Sequence, residues 1–493
     1  MRRFVTSAED GHVSIYSLEN GSDALLPSAA VDGMAGSFGL FIQELDDGSI
    51  LAHRLPGGPA ETAGLPPQMR LLAIDGIPAT DALRSQAVEW TNGGIPTIEA
   101  RRYFQGITLG RGDPGTSRVF TYETFDHPGA PITRTLTAAA ASPFVLPGID
   151  EFHERTEDML EAGILEANVG YIRLSTFFSA TIDSDAAADA FVEEVAEAFA
   201  GTLEELIAAG AESLILDLRG NIGGLDDLGA RLFGHFTTDD GIYQTTMPFT
   251  LGEGWESDPA AFERIPFHAA TPHFPGRVAI LANHTTTSAA ETFVDQMQAL
   301  EQVRYVGLWA TNGSNADVGG LALLPHGIVV MWPVEPCLEI DGTIRIDTDA
   351  SGAARLKPDL RIPHTAENFA WMLDSARDIE AEWAFQALLD PLFGYFPGAE
   401  TVDEDWLRHP DFGWIWTGDA PWIFHYDLGW LYLAGRGGAT QQFFSPRFGW
   451  CLSRTTHPRL IYSWSDGWLY RGDQAVWSYR ENGWLVLAAA DPS

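Results

Sequence analysis

The sequence predicts an α+β protein built from several units, and three observations carry that reading. Short strand-like runs separated by turn residues occupy 36–80, strand-like and helix-like segments alternate between 165 and 307, and Gly-Trp recurs at 413–414, 429–430, 449–450, 467–468 and 483–484. A chain of 493 residues is also too long for one ordinary core, at ~100–200 residues per domain. Shifts in pattern divide it into an N-terminal piece at 1–35, a small β-rich unit at 36–125, a layered α/β core at 126–375 and an all-β repeat module at 385–493.

Taken in order, the small unit reads as a strand at 38–42 (Phe-Gly-Leu-Phe-Ile), a strand at 49–52, a short helix at 58–65 and a strand at 70–76. Asp-Gly after an apolar run is a hairpin signal, and Gly64 suits a helix C-cap. The core opens with a strand at 169–174 (Val-Gly-Tyr-Ile-Arg-Leu), a long Ala/Glu/Leu-rich helix within 183–208 and an apolar strand at 213–218. A second unit repeats that order, with a strand at 277–282, a helix at 289–300 and a strand at 303–307. Such alternation argues for helices layered on a parallel or mixed sheet. In the last module the Gly-Trp intervals are 16, 20, 18 and 16 residues, and ten of the sixteen tryptophans lie between Trp406 and Trp484. That period predicts short aromatic strands and turns. Two readings of the indoles stay open: they pack as the module's own core, or they line a stacking surface for a glycan or the cell envelope.

Composition narrows the function. With 29 Lys+Arg against 68 Asp+Glu the net charge is −39, a field that repels phosphates and anionic membrane surfaces, so nucleic acid is not an expected partner. Cys337 and Cys451 are the only cysteines and make neither a disulfide framework nor a zinc pattern; no metal or cofactor is expected. No stretch approaches the ~18 apolar residues of a membrane span, and the first ten residues show no apolar segment of a signal peptide.

Two segments carry chemistry. At 283–291 (Asn-His-Thr-Thr-Thr-Ser-Ala-Ala-Glu) an apolar strand runs through a turn into a helix that begins at Ser288. Backbone N–H groups and the positive helix end beside such a serine can stabilise an oxyanion. Equally, Ser288 and Glu291 fit a capping box that only satisfies orphan N–H groups. At 217–224 (Asp-Leu-Arg-Gly-Asn-Ile-Gly-Gly) a strand ends in a glycine-rich turn whose N–H groups can complete an oxyanion hole.

In this order, and together with Leu-Lys-Pro-Asp-Leu at 356–360, these motifs resemble the tail-specific, carboxyl-terminal-processing serine peptidase family over residues 10–365. The segment at 36–80 resembles a PDZ domain, and the Gly-Trp module loosely resembles Trp-rich C-terminal repeats of bacterial envelope proteins. The resemblance implies a core of ClpP/crotonase-like layering that hydrolyses polypeptides near their C-termini. It implies Ser288 as nucleophile, and the N–H groups of Gly223 or Gly224 and of Ala289 as oxyanion donors. A peptide would be captured at Ser37, Phe38, Gly39 and Leu40. Relatives work in the periplasm or outside the cell, although the chain shows no signal for it.

The best-known branch pairs the serine with a lysine, yet residues 306–315 contain none and Lys357, the sole lysine, sits in a different motif. A second branch, resembling the tricorn core, takes a histidine from before the PDZ-like unit, and Asp-Gly-His at 10–12 offers His12. An imidazole with its ordinary pKa of ~6.5 can take the serine proton and return it to the leaving amine. His284 is the competing histidine. The orienting carboxylate of that branch maps near Gly352, where no acid stands; Asp347 and Asp349 are close in sequence. Without such a partner, a catalytically inactive homologue that binds peptides or other ligands at the envelope is the alternative.

Overall fold

The structure is a computed structural model, and it describes residues 10–17, 34–88, 94–141, 159–179, 181–250, 254–374, 377–389 and, with short interruptions, 396–486. Most of the N-terminal piece expected at 1–35, including the opening segment read for a signal, lies outside the described residues.

The first strand, β1 (Ser14–Ser17), is remote in sequence from its partner. The small unit follows as β2 (Leu40–Glu44), β3 (Ile50–Arg54), β4 (Gln68–Ile74), helices α1 (Ala79–Ser85) and α2 (Ile98–Leu109), β5 (Ser117–Thr124) and β6 (His127–Thr137). Its strands form an antiparallel sheet in the order β2-β3-β4-β5-β6 around Phe38, Ile42, Leu71, Leu83 and Phe120, all buried. Gly64 has φ 72° just beyond the short helix Pro59–Thr62, as a C-cap glycine requires.

The core contains β7 (Leu160–Ile164), β8 (Val169–Leu174), α3 (Asp185–Ala208), β9 (Ser213–Asp217), α4 (Asp226–Phe233), β10 (Arg277–Leu281), α5 (Ala289–Gln298), β11 (Val303–Gly307), β12 (Asp317–Leu324), β13 (Ile328–Glu335), β14 (Leu360–Arg361) and α6 (Ile379–Leu389). Six strands make one mixed sheet, ordered β7-β8-β9-β10-β11-β14, in which only the β7–β8 pair is antiparallel. Both faces are covered, which is why its strands read as continuous apolar runs. Leu214 and Leu216 face the layer of α3, α4 and α5, whereas Ile215 and Leu281 face Ala384 and Leu388 of α6. β1 joins a separate sheet, pairing antiparallel with β13 so that Ser14 lies opposite Met331. That pairing carries residues 10–12 into the core.

After residue 400 eleven strands, from Glu400–Asp403 to Gly483–Val486, pair in sequence order as one antiparallel sheet. Gly413, Gly429, Gly449 and Gly467 all have positive φ, which explains why the repeat needs glycine at the entry to each strand. In the fifth repeat Asn482 takes this conformation instead, with φ 51°. The residue after each Trp, not the Trp, points inward: Ile415, Leu431, Cys451 and Leu469 are buried. Trp414, Trp450, Trp468 and Trp484 are 41, 43, 50 and 56% exposed. The reading of the indoles as the module's core is thus corrected, because strand alternation puts neighbouring side chains on opposite faces and the smaller apolar residues fill the inner one.

Candidate active site

Ser288 stands where β10 has passed through the Thr-rich turn and α5 begins. Its φ of 60° and ψ of −131° are rare for a non-glycine residue, and its side chain makes no capping hydrogen bond. The capping-box alternative is therefore not what the geometry shows. The Ser288 N–H donates to Ser314 O at 2.9 Å, while the Glu291 carboxylate accepts from Gly313 N–H at 2.8 Å and Ser314 N–H at 2.9 Å. Glu291 is 1% exposed, and burial pushes its carboxyl up to about 7 despite hydrogen bonds that favour the charge.

The turn is over-determined by its neighbours. Thr286 Oγ1 donates to Leu218 O at 2.9 Å, and Thr287 N–H donates to Asn221 O at 3.1 Å. The glycine-rich turn after β9 lies directly against the serine. Gly223 has φ 87°, and a Cβ there would fall 2.8 Å from Ser288 Cβ and 2.9 Å from Ala289 N, so the position admits glycine alone. The Gly223 N–H is engaged by Asn221 Oδ1 at 2.9 Å. Among the described residues the N–H groups of Gly224 and Ala289 donate to no acceptor.

A buried ionic cluster anchors this glycine turn. Arg219 bonds Asp217 Oδ1 at 2.9 Å, Asp378 Oδ1 at 2.8 Å and Glu380 Oε2 at 3.1 Å, and Tyr171 Oη donates to Asp217 Oδ2 at 2.8 Å. Burial opposes the charge on Asp378, but the guanidinium wins and holds its carboxyl below the ordinary range; on Glu380 burial prevails and the shift is upward. Sequence reasoning missed these partners because Asp378 is 159 residues from Arg219.

His12 is buried, and its Nδ1 lies 3.1 Å from Asp10 Oδ1, which also accepts the His12 backbone N–H at 2.8 Å. Ser314 links the segment to the serine: its Oγ accepts the Gly11 N–H at 2.6 Å while its carbonyl O takes the Ser288 N–H. An acid two positions before the histidine was visible in the sequence as part of the motif, but not as the orienting group. Of the acids considered for that role, Asp347 is half-buried beside Asn315, accepting its N–H at 3.1 Å, and desolvation raises its carboxyl. Asp349 only closes an exposed turn with Ser351. His284 is packed in an aromatic box, with ring centroids 4.3 Å from Tyr103 and 5.2 Å from Trp309, and Lys357 is exposed.

The segment at 37–40 is buried and its backbone is spoken for. Gly39 N–H donates to Ser37 Oγ at 2.9 Å, Phe38 N–H to Gly110 O at 3.0 Å, and Phe38 O and Gly39 O accept from Ala60 and Leu55. α2 lies along β2: a Cβ on Gly106 or Gly110 would come within 1.9 Å of Ile42 O or 2.3 Å of Leu40 O. Gln105 ties the other side of α2 to the end of α1 through Arg84 O and Gln86 O. A helix of the chain itself thus covers the strand edge to which an added peptide strand would pair.

Among the described residues no group of three or more His, Cys, Asp or Glu is placed to hold a metal ion, and no helix is long and apolar enough to cross a membrane.

Residues 168–362 match the model of peptidase family S41. The chain is 25% identical over 338 residues to a carboxyl-terminal-processing protease of Picosynechococcus sp., a match that takes in 69% of this chain and 65% of that protein's length. Among solved structures, mature CPAF complexed with lactacystin aligns at TM-score 0.49 and 13% identity, over 79% of this chain and 87% of that one. The photosystem II D1 C-terminal processing protease aligns at TM-score 0.32 and 16% identity, over 75% and 84% of the two chains. The molecule thus combines a mixed α/β core, over which the match to the S41 peptidase model falls, with an all-antiparallel C-terminal sheet.

Proposed function

We propose that the chain is a serine endopeptidase that cleaves polypeptides near their C-termini, with Ser288 as nucleophile and His12 as general base. The observation that carries this reading is the strained serine at a helix start, tied through Ser314 to the Asp10–His12 pair. In the reaction His12 removes the Ser288 Oγ proton as Oγ bonds to the scissile carbonyl carbon. The Ala289 and Gly224 N–H groups receive the negative oxygen, and the protonated imidazole returns its proton to the leaving amine as the C–N bond breaks. Water then hydrolyses the acyl-enzyme by the same route. Asp10 sets the ring orientation through Nδ1, the part a third carboxylate plays in a triad.

The same reading takes residues 36–125 as a PDZ-like unit, residues 126–375 as a core of ClpP-like layering, and a place of action outside the cytoplasm. Uptake of a peptide C-terminus at residues 37–40 belongs to it only as an exchange with α2, given how that edge is covered. The half-exposed indoles support contact between the C-terminal sheet and a glycan or envelope surface. A fluorophosphonate probe tests the chemistry. Labelling of the wild type should vanish in Ser288→Ala and fall by about 100-fold in His12→Ala; a wild type that binds peptide yet resists the probe would make the chain a binding protein.

A further inference from the structure

We propose that Glu291 is a positioning residue that holds Ser288 and His12 in register, an inference that rests on the peptidase reading above. The carboxylate lies one helical turn beyond the serine, buried, with one oxygen on Gly313 N–H and the other on Ser314 N–H. Its partners stand 22 and 23 residues later in the chain, so the bonds join α5 to the turn that precedes β12. Ser314 then works as a two-ended connector. Its carbonyl takes the Ser288 N–H at 2.9 Å and its hydroxyl takes the Gly11 N–H at 2.6 Å, next to His12.

The surroundings leave this turn little freedom to compensate. Gly313 has φ 83°, and a Cβ there would lie 2.3 Å from Thr348 Oγ1; one on Gly11 would lie 2.4 Å from Asn312 Oδ1. Each of the two adjacent N–H donors has an oxygen of its own, which a carboxylate supplies. An amide has one oxygen, and its NH2 would face a donor. An aspartate is one methylene too short to reach from the helix. Since a misplacement of ~1 Å between reacting groups lowers rates by about 100-fold, the fixed position of Ser314 bears directly on the Ser288–His12 geometry.

The test uses the full chain with Glu291→Gln. The expected result is a kcat lower by about 100-fold with KM within about 3-fold of wild type. Amide hydrogen exchange should quicken at Gly313, Ser314, Ser288 and Gly11 and stay unchanged in β9 and β10. Wild-type kcat, or unchanged exchange at those four amides, overturns the inference. If Glu291→Gln does not fold, Ser314→Ala serves: it removes the hydroxyl link alone, and should lower kcat by about 10-fold and quicken exchange at Gly11, whereas unchanged values at both readouts overturn the inference. Should the wild type resist the fluorophosphonate probe, the peptidase reading fails on its own, and the exchange measurement still decides whether Glu291 holds the turn.

Discussion

The Ser288 turn and the C-terminal sheet are held by opposite kinds of contact. Around the serine, the decisive bonds join residues far apart in sequence: Gly11 to Ser314 across 303 positions and Arg219 to Asp378 across 159. In the sheet every strand pairs with the next, and its buried polar bonds span shorter stretches of chain, 13 residues between His425 and Phe412 and 44 between Arg471 and Asp427. The site is therefore specified by polar satisfaction at a distance, which a single atom can break. The sheet is specified by repetition, which spreads a local defect over neighbouring hairpins.

The largest test of that contrast is Arg219→Met. It strands the buried carboxylates of Asp217 and Glu380 and leaves the half-buried Asp378 without its partner, and should cost about 3–5 kcal/mol. Urea unfolding followed by the far-ultraviolet helical signal reports this for the core, and an unchanged midpoint would remove the cluster from the account. Next comes a pair of glycines. Gly223→Ala forces a methyl against Ser288 and should reduce probe labelling by about 100-fold. Gly467→Ala, also at positive φ but with open space around it, should cost only about 1 kcal/mol and leave labelling intact. Equal effects on labelling would erase the distinction between the regions.

The third test is acid. Burial, aided by the charge of Arg471, pushes His425 down to about 3, and its Nδ1 accepts the N–H groups of Asp427 and Leu428. The folded sheet thus prefers the neutral ring. This contribution is complete above the unfolded value of ~6.5 and declines as pH falls toward the folded one, by about 2 kcal/mol at pH ~5. Tryptophan fluorescence during denaturant unfolding at the two pH values checks the sign; a sheet whose stability does not fall between them would show that His425 does not govern its acid limit.

Much of the fold was legible because it is written in local pattern. The strands at 169–174 and 303–307 appear as read, the long helix runs Asp185–Ala208 and the sheet is mixed. Ser288 was legible as a helix-start serine, and Gly223 as part of a glycine turn. Their partners were not. Glu291 carries the spacing of a capping box but turns away to Gly313 and Ser314, and nothing near Asp217 announces Asp378 or Glu380.

Sequence alone determined where strands, helices and turns fall, because apolar periodicity and glycine placement act over a few residues. It also set the Gly-Trp repeat, since each turn needs a residue that tolerates positive φ. Only the tertiary structure decided which face the indoles take, that α2 lies along β2, and that β1 brings Asp10 and His12 to Ser314 by pairing with β13. Those outcomes depend on which surfaces meet after distant segments close upon each other, and local propensity does not encode that choice.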